Sequence, residues 1–349
     1  MVLISRQIRV TRPFLRSRII GFYALLLLSP CVAADASEWQ PTAGHRQTPI
    51  WPGAVPDAEP LAGPENETGL NSGPVAGKPW TWVADVVHPT MTVYSPRGRN
   101  TGAALIVFPG GGYRLLAIDL EGTEVCDWAT SRGVTCILLK YRVPGLEPGV
   151  AHRSGPYPFA PAALEDAQRT LGLVRLHAAE WRIDPHKIGV IGFSAGGHLV
   201  AAISTHFDRR IYPAVDAADR ESCRPDFAIA IYPGHLLLGV AQYDARQFGR
   251  ELAIDTPKRR ALAAIRLNPD IPVTERTPPT FLAHARDDPI DHVGNSLAYY
   301  RALYETGVSA EIHIFDRGGH AFGLRPTDHP ITHWPRLVED WLHSIGMLQ

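Results

Sequence analysis

The sequence predicts an α/β fold, a largely parallel sheet covered by helices on both faces, with a cap-like insertion. Three observations carry this. From about residue 83, short apolar runs alternate with segments of helical period, the pattern that buries a parallel sheet between two helical layers. Several runs, such as "LIVF" and "IGVIGF", are apolar at every other position or more and too short for buried helices. One connection, 233–279, is far longer than the rest, and connections of that length usually serve as caps or lids.

The elements follow in order. Residues 1–34 carry Arg6, Arg9, Arg12, Arg16 and Arg18, then an apolar run over 19–28, then small residues Val32-Ala33-Ala34. This is the pattern of a secretory signal peptide, and the run is short for a membrane span. "LSPC" ending at Cys31 is a poor lipobox because proline precedes the cysteine. The expectation is therefore an exported chain, periplasmic or secreted, with no stable membrane partner. A chain beginning at Asp35 loses five of its 34 basic residues and none of its 35 acidic ones, for a net charge of about −6. Such a surface lacks the basic footprint of a nucleic-acid binder.

Residues 35–79 are rich in Pro, Gly, Asn and Glu and read as an irregular lead-in. Its tryptophans, Trp39 and Trp51, with Trp80 and Trp82 just beyond, read as packing against the core. Residues 80–349 then read as one α/β domain. Strands are expected over 92–94, 103–108, 134–139, 188–193, 227–232, 280–285 and 311–315. Helices are expected over 123–132, from Pro161 onward, and over 195–205, 295–305 and 334–345. In the second of these Leu164, Ala167, Leu171, Val174 and Ala178 form one apolar stripe, while Asp166 and Arg169 read as a solvated pair. Arg142 reads as a structural ion-pair member with substrate contact as the alternative. Cys126 and Cys136 are either a disulfide or two small buried residues.

The chemistry concentrates in four places. In "KIGVIGFSAGGHLVAA" an apolar strand runs into Gly192-Phe193-Ser194-Ala195-Gly196 and a helix follows. A serine hydroxyl is a weak nucleophile and needs exposure, a base and an oxyanion site. A sharp strand-to-helix turn with glycine two positions either side supplies the exposure. In "LIVFPGGGYRLL" three glycines follow a strand, so backbone N–H groups can approach a substrate oxygen. Gly111 and Gly112, with Ala195, are the candidate oxyanion donors. Tyr113 and Glu121 are candidate substrate-pocket residues.

A base is expected after the last strand, and "FDRGGHAFGLR" places His320 on a glycine-bearing loop. His198, His284 and His313 read as structural. The acid that orients the histidine belongs after the preceding strand, in "HARDDPIDHVGNS", where Asp287, Asp288 and Asp291 compete. Counting back from Asn295-Ser296 favours Asp288, with Asp287 next. A metal cluster of His284, Asp291 and His292 is a remote alternative, and no metal or organic cofactor is implied.

Chain order Ser194, Asp288, His320 resembles the α/β-hydrolase fold of esterases and lipases. More narrowly, "PGGGY", "DLEG", "LKYRVP", "DAQRTLGLVR", "GFSAGGHL", "TPPTFLAHARDDP" and "GGHAFGLR" are similar to exported acetyl xylan esterase-like carbohydrate esterases. The resemblance covers about 83–345. It implies a serine ester hydrolase acting on a small ester or an acetylated oligosaccharide or polysaccharide, without a cofactor. A general short-chain carboxylesterase or amidase is the alternative, and a non-catalytic binding module the alternative from another class. Two departures stand out: Pro109 replaces the histidine of HGGG loops, and Asp291-His292 replaces the Val-Pro that many relatives carry after the acid.

Overall fold

The computed structural model describes residues 39–58, 65–66, 68–143, 157, 161–238 and 265–348. The expected signal segment and most of the expected cap, 239–264, lie outside the described residues.

An eight-stranded sheet forms the centre. In chain order its strands are β1 (Gln47–Pro49), β4 (Thr90–Tyr94), β5 (Ala104–Phe108), β7 (Thr135–Lys140), β8 (Ile188–Phe193), β9 (Phe227–Ile231), β10 (Thr280–Ala285) and β11 (Ala310–Phe315). Their spatial order is β1-β4-β7-β5-β8-β9-β10-β11. From β7 to β11 every pairing is parallel; β1 and β4 add antiparallel strands at one edge. The buried runs of β5, β7, β8, β9 and β10 explain their near-continuous apolar text, since both faces are covered.

Among the described residues five α-helices cover the sheet: α1 (Glu124–Ser131), α2 (Ala162–Leu176), α3 (Ala195–Thr205), α4 (Gly294–Glu305) and α5 (Trp334–Ser344). α1 meets α5 through Trp128, whose indole N–H donates to Glu339 at 3.1 Å. α2 packs on α3. Cys126 of α1 is disulfide-bonded to Cys136 of β7, tying a helix to the strand it leads into.

Two segments differ from expectation. The lead-in is not irregular throughout: β1 pairs with β4, and β2 (Thr68–Val75) forms a hairpin with β3 (Lys78–Ala84), extended by β6 (Leu115–Leu116). This text hides a strand because its glycine is used for packing. A Cβ on Gly69 would fall 2.1 Å from the Trp82 ring that lies across it. The second difference is in α2, where Asp166 and Arg169 are buried rather than solvated. The lead-in covers that face. The Trp51 indole donates to Asp166 at 2.9 Å and Arg169 Nε donates to the Ile50 carbonyl at 2.9 Å. Asp166 and Glu165 hold the Arg142 guanidinium, and Arg169 makes a two-pronged pair with Asp216 at 2.7 and 2.6 Å. Arg142 is thus structural.

The topology sets the site. After β5 the chain crosses to β7 on one side, then returns to β8 on the other side of β5. Strand order therefore reverses between β5 and β8, and ligands bind outside the carboxyl ends of strands at such a reversal. The glycine loop leaves β5 at that point, and Ser194 leaves β8 there.

Candidate active site

Ser194 sits between β8 and α3 with φ 52° and ψ −117°, a conformation non-glycine residues avoid. Holding it costs on the order of 1–3 kcal/mol, which the surrounding sheet supplies. Its N–H donates to the Ile231 carbonyl at 3.1 Å, and its carbonyl accepts from His198 and Gly234. The turn is tight: a Cβ on Gly196 would lie 2.0 Å from the Phe108 carbonyl oxygen, so only glycine fits.

His320 lies beyond β11. Its Nε2 is 3.1 Å from Ser194 Oγ and its Nδ1 is 2.7 Å from Asp288 Oδ2. A carboxylate only accepts, so Nδ1 carries the proton and Nε2 offers its lone pair to the serine hydroxyl. Burial alone would lower the His320 pKa. The hydrogen bond to Asp288 and the charges of Asp288, Asp291 and Glu121 outweigh it and hold the pKa above its ordinary value. Tyr232 packs its ring on the imidazole at 4.9 Å between centroids.

Asp288 is the carboxylate the fold aims at the histidine. The N–H groups of Ile290 and Asp291 donate to its Oδ1, while His320 and His284 approach its Oδ2 at 2.7 and 3.3 Å. Burial works to raise its pKa, yet hydrogen bonds from His284 and His320 with their nearby positive charge bring it down to about 2. Asp287 has another task. Its Oδ1 accepts from the N–H groups of Gly318 and Gly319, so it holds the loop that presents His320.

The glycine loop runs directly beside the nucleophile, where a Cβ on Gly110 would come 3.0 Å from Ser194 Cβ. Ala195 is the first residue of α3, and the first N–H groups of a helix have no partner within it. Gly111 and Gly112 follow Gly110 on this loop, beside the turn that carries Ser194 and Ala195. The two residues expected to line the substrate pocket are held by hydrogen bonds around this loop. Tyr113 is buried, with its hydroxyl 2.7 Å from His198 Nδ1. Glu121 is buried too, accepting from the Gly110 N–H and the Tyr232 hydroxyl, each at 2.7 Å. Burial pushes the Glu121 carboxyl up, and it pushes the His198 imidazole well below its ordinary value. His198 is thus a buried partner of Tyr113, held neutral. His284 is enclosed between Ser296 and the Asp291 carbonyl, each at 2.8 Å, and His313 bonds Glu311 at 2.7 Å.

One residue arrives unannounced in its role. Asp291, expected as a rival for the orienting acid or remotely as a metal ligand, places its Oδ2 3.0 Å from Ser194 Oγ and 3.8 Å from His320 Nε2. Its sole signal in the sequence is the departure from the Val-Pro usual at 291 and 292.

Three serine-hydrolase components, a strained serine, a histidine on it and a carboxylate behind the histidine, thus meet at the strand reversal. Similarity to known proteins runs the same way. The BD-FAE family model matches residues 148–303. The acetylxylan esterase of Xylanibacter ruminicola is 28% identical over 254 residues, 70% of this chain and 46% of that protein. Endo-1,4-β-xylanase B of Butyrivibrio fibrisolvens is 29% identical over 216 residues, 62% of this chain and 32% of that protein. The chain spans less than half the length of either of these curated relatives. Among solved structures, the acetyl ester-xyloside bifunctional hydrolase of Caldicellulosiruptor lactoaceticus superposes with a TM-score of 0.64 at 33% identity, covering 87% of this chain and 97% of that one. With fold, site order and a relative matched over nearly its whole length in agreement, the chain belongs to the esterases of the α/β-hydrolase superfamily.

Proposed function

We propose that the protein is an exported serine esterase that removes acetyl groups from plant-type polysaccharides or their oligomers. The observation that carries the catalytic part is the continuous path from Ser194 Oγ to His320 Nε2 at 3.1 Å and from His320 Nδ1 to Asp288 at 2.7 Å. His320 accepts the serine proton as Oγ attacks the ester carbonyl. The oxyanion is stabilised by the N–H groups of Gly111, Gly112 and Ala195, each such donor contributing roughly 3 kcal/mol to barrier lowering. The imidazolium, steadied by Asp288, then protonates the departing alcohol. Water, deprotonated by His320, attacks the acyl-enzyme and releases acetate.

The acetyl and glycan parts are supported by the relatives, named as an acetylxylan esterase and an acetyl ester-xyloside hydrolase. Export is supported by the signal-like text of residues 1–34 and by the Cys126–Cys136 disulfide, a bond that persists in oxidising compartments. The test is acetate release from acetylated xylan against p-nitrophenyl acetate. Higher kcat/KM per acetyl group on the xylan supports the glycan assignment. Activity no better than on the nitrophenyl ester sinks it and leaves the mechanism standing.

A further inference from the structure

The Ser194 hydroxyl has one proton and two acceptors. His320 Nε2 lies at 3.1 Å and Asp291 Oδ2 at 3.0 Å. Only the first path leads to chemistry. A carboxylate is the stronger acceptor of the two, so in the free enzyme Asp291 draws the proton away from the base. A competing anion beside a nucleophile is a liability unless the substrate satisfies it.

The surroundings make the placement deliberate. Asp288 already orients His320, so Asp291 is not needed for that. The Asp291 backbone is fixed at both ends, its N–H on Asp288 Oδ1 at 2.9 Å and its carbonyl accepting from His284 at 2.8 Å. A slot is kept clear for its carboxylate, since a Cβ on Gly234 would meet Asp291 Oδ1 at 2.5 Å. The side chain remains 16% exposed, which leaves it open to a ligand.

Its position also decides which part of the ester it meets. His320 Nε2 must reach the leaving oxygen to protonate it, and Asp291 Oδ2 lies 3.8 Å from that nitrogen. A group this near Nε2 is also near the place that the leaving oxygen must occupy to be protonated. Oxygens on neighbouring carbons of a diol lie about one hydrogen-bond length apart. A free hydroxyl next to the esterified one then falls within reach of Asp291. We propose that Asp291 is the specificity-determining acceptor for a hydroxyl adjacent to the scissile ester, so that the site selects acetates of vicinal diols. When that hydroxyl donates to Asp291, the Ser194 proton is released to His320, and binding of the correct alcohol switches the nucleophile on. The remaining chemistry is unchanged: Oγ–C forms, the C–O bond to the alcohol breaks, and the serine proton leaves on the alcohol.

The proposal deepens the acetylesterase reading, and its test avoids sugars so that the two fail separately. The kcat/KM ratio of 2-hydroxyethyl acetate to 2-methoxyethyl acetate is measured for the native enzyme, Asp291→Asn and Asp291→Val. A hydrogen bond to a charged group implies a native ratio of about ten to a hundred in favour of the free hydroxyl. The ratio should fall partway in Asp291→Asn, whose amide oxygen still accepts, and to near one in Asp291→Val. Because the readout is a ratio, a general loss of activity in the variants does not mimic it. A native ratio near one, or a native-like ratio in both variants, overturns the role of Asp291 whatever the enzyme does with xylan.

Discussion

At the scale of single residues, the site is a set of charges arranged around one imidazole. His320 faces Asp288 on one side, Asp291 and Ser194 on the other, Glu121 beyond the Tyr232 ring, and its pKa is held above the ordinary value by those carboxylates. His320 works only when neutral, so activity is present above its pKa and lost as pH falls through it. The acid limb of kcat/KM is therefore expected to have its midpoint above the 6.5 of an ordinary histidine. Asp291→Asn removes one of the charges favouring the imidazolium and should move that midpoint downward. A limb that stays in place in the variant contradicts the electrostatic role assigned to Asp291. Ser194 and His320 were legible in the sequence because each sits in a glycine-marked turn at a fixed place in the strand order. Asp288 was legible as the orienting acid from its register with Asn295-Ser296; the division of labour between Asp287 and Asp291 was not. It depends on how one short turn folds back on Asp288 Oδ1, which composition does not encode. Tyr113 and Glu121 were readable as neighbours of the glycine loop, but their partners His198 and Gly110 were not, since spacing does not say where a side chain points.

At the scale of elements, α2 shows how a polar face becomes buried. Its apolar stripe was readable from the 3.6-residue period, and the pair Asp166 and Arg169 looked solvated. A helix covered by a distant segment cannot be recognised from its own text, and here the cover is the lead-in around Ile50 and Trp51. The result is a buried charge network in which Arg142 donates to Asp166 and Glu165, and burial pushes the Glu165 carboxyl up to about 7. Removing one partner of a buried pair leaves the other charge uncompensated. Asp166→Ala should lower unfolding stability by about 3–5 kcal/mol, read from the midpoint of urea unfolding. A change below about 1 kcal/mol would show that water reaches Arg142 and that the lead-in does not seal this face. The β2–β3 hairpin makes the same point, since its strand is disguised by glycine and proline until Trp82 is placed over Gly69.

At the scale of the whole molecule, the parallel sheet was legible because its inner strands, β5, β7, β8, β9 and β10, are buried and so nearly continuously apolar. The position of the site follows from strand order alone. β5 and β8 are neighbours, the chain departs from them in opposite directions, and their loops bring the glycine run and Ser194 to one crevice. The acid and the histidine arrive from the ends of β10 and β11, farther along the same edge. Everything claimed for function rests on Ser194 being an activated nucleophile at that crevice. The most direct measurement is labelling of the folded protein with a fluorophosphonate probe, read by mass spectrometry at the modified residue. The native protein is expected to be labelled once, at Ser194, with labelling abolished in Ser194→Ala. An unlabelled native protein, or equal labelling of Ser194→Ala, would contradict the account.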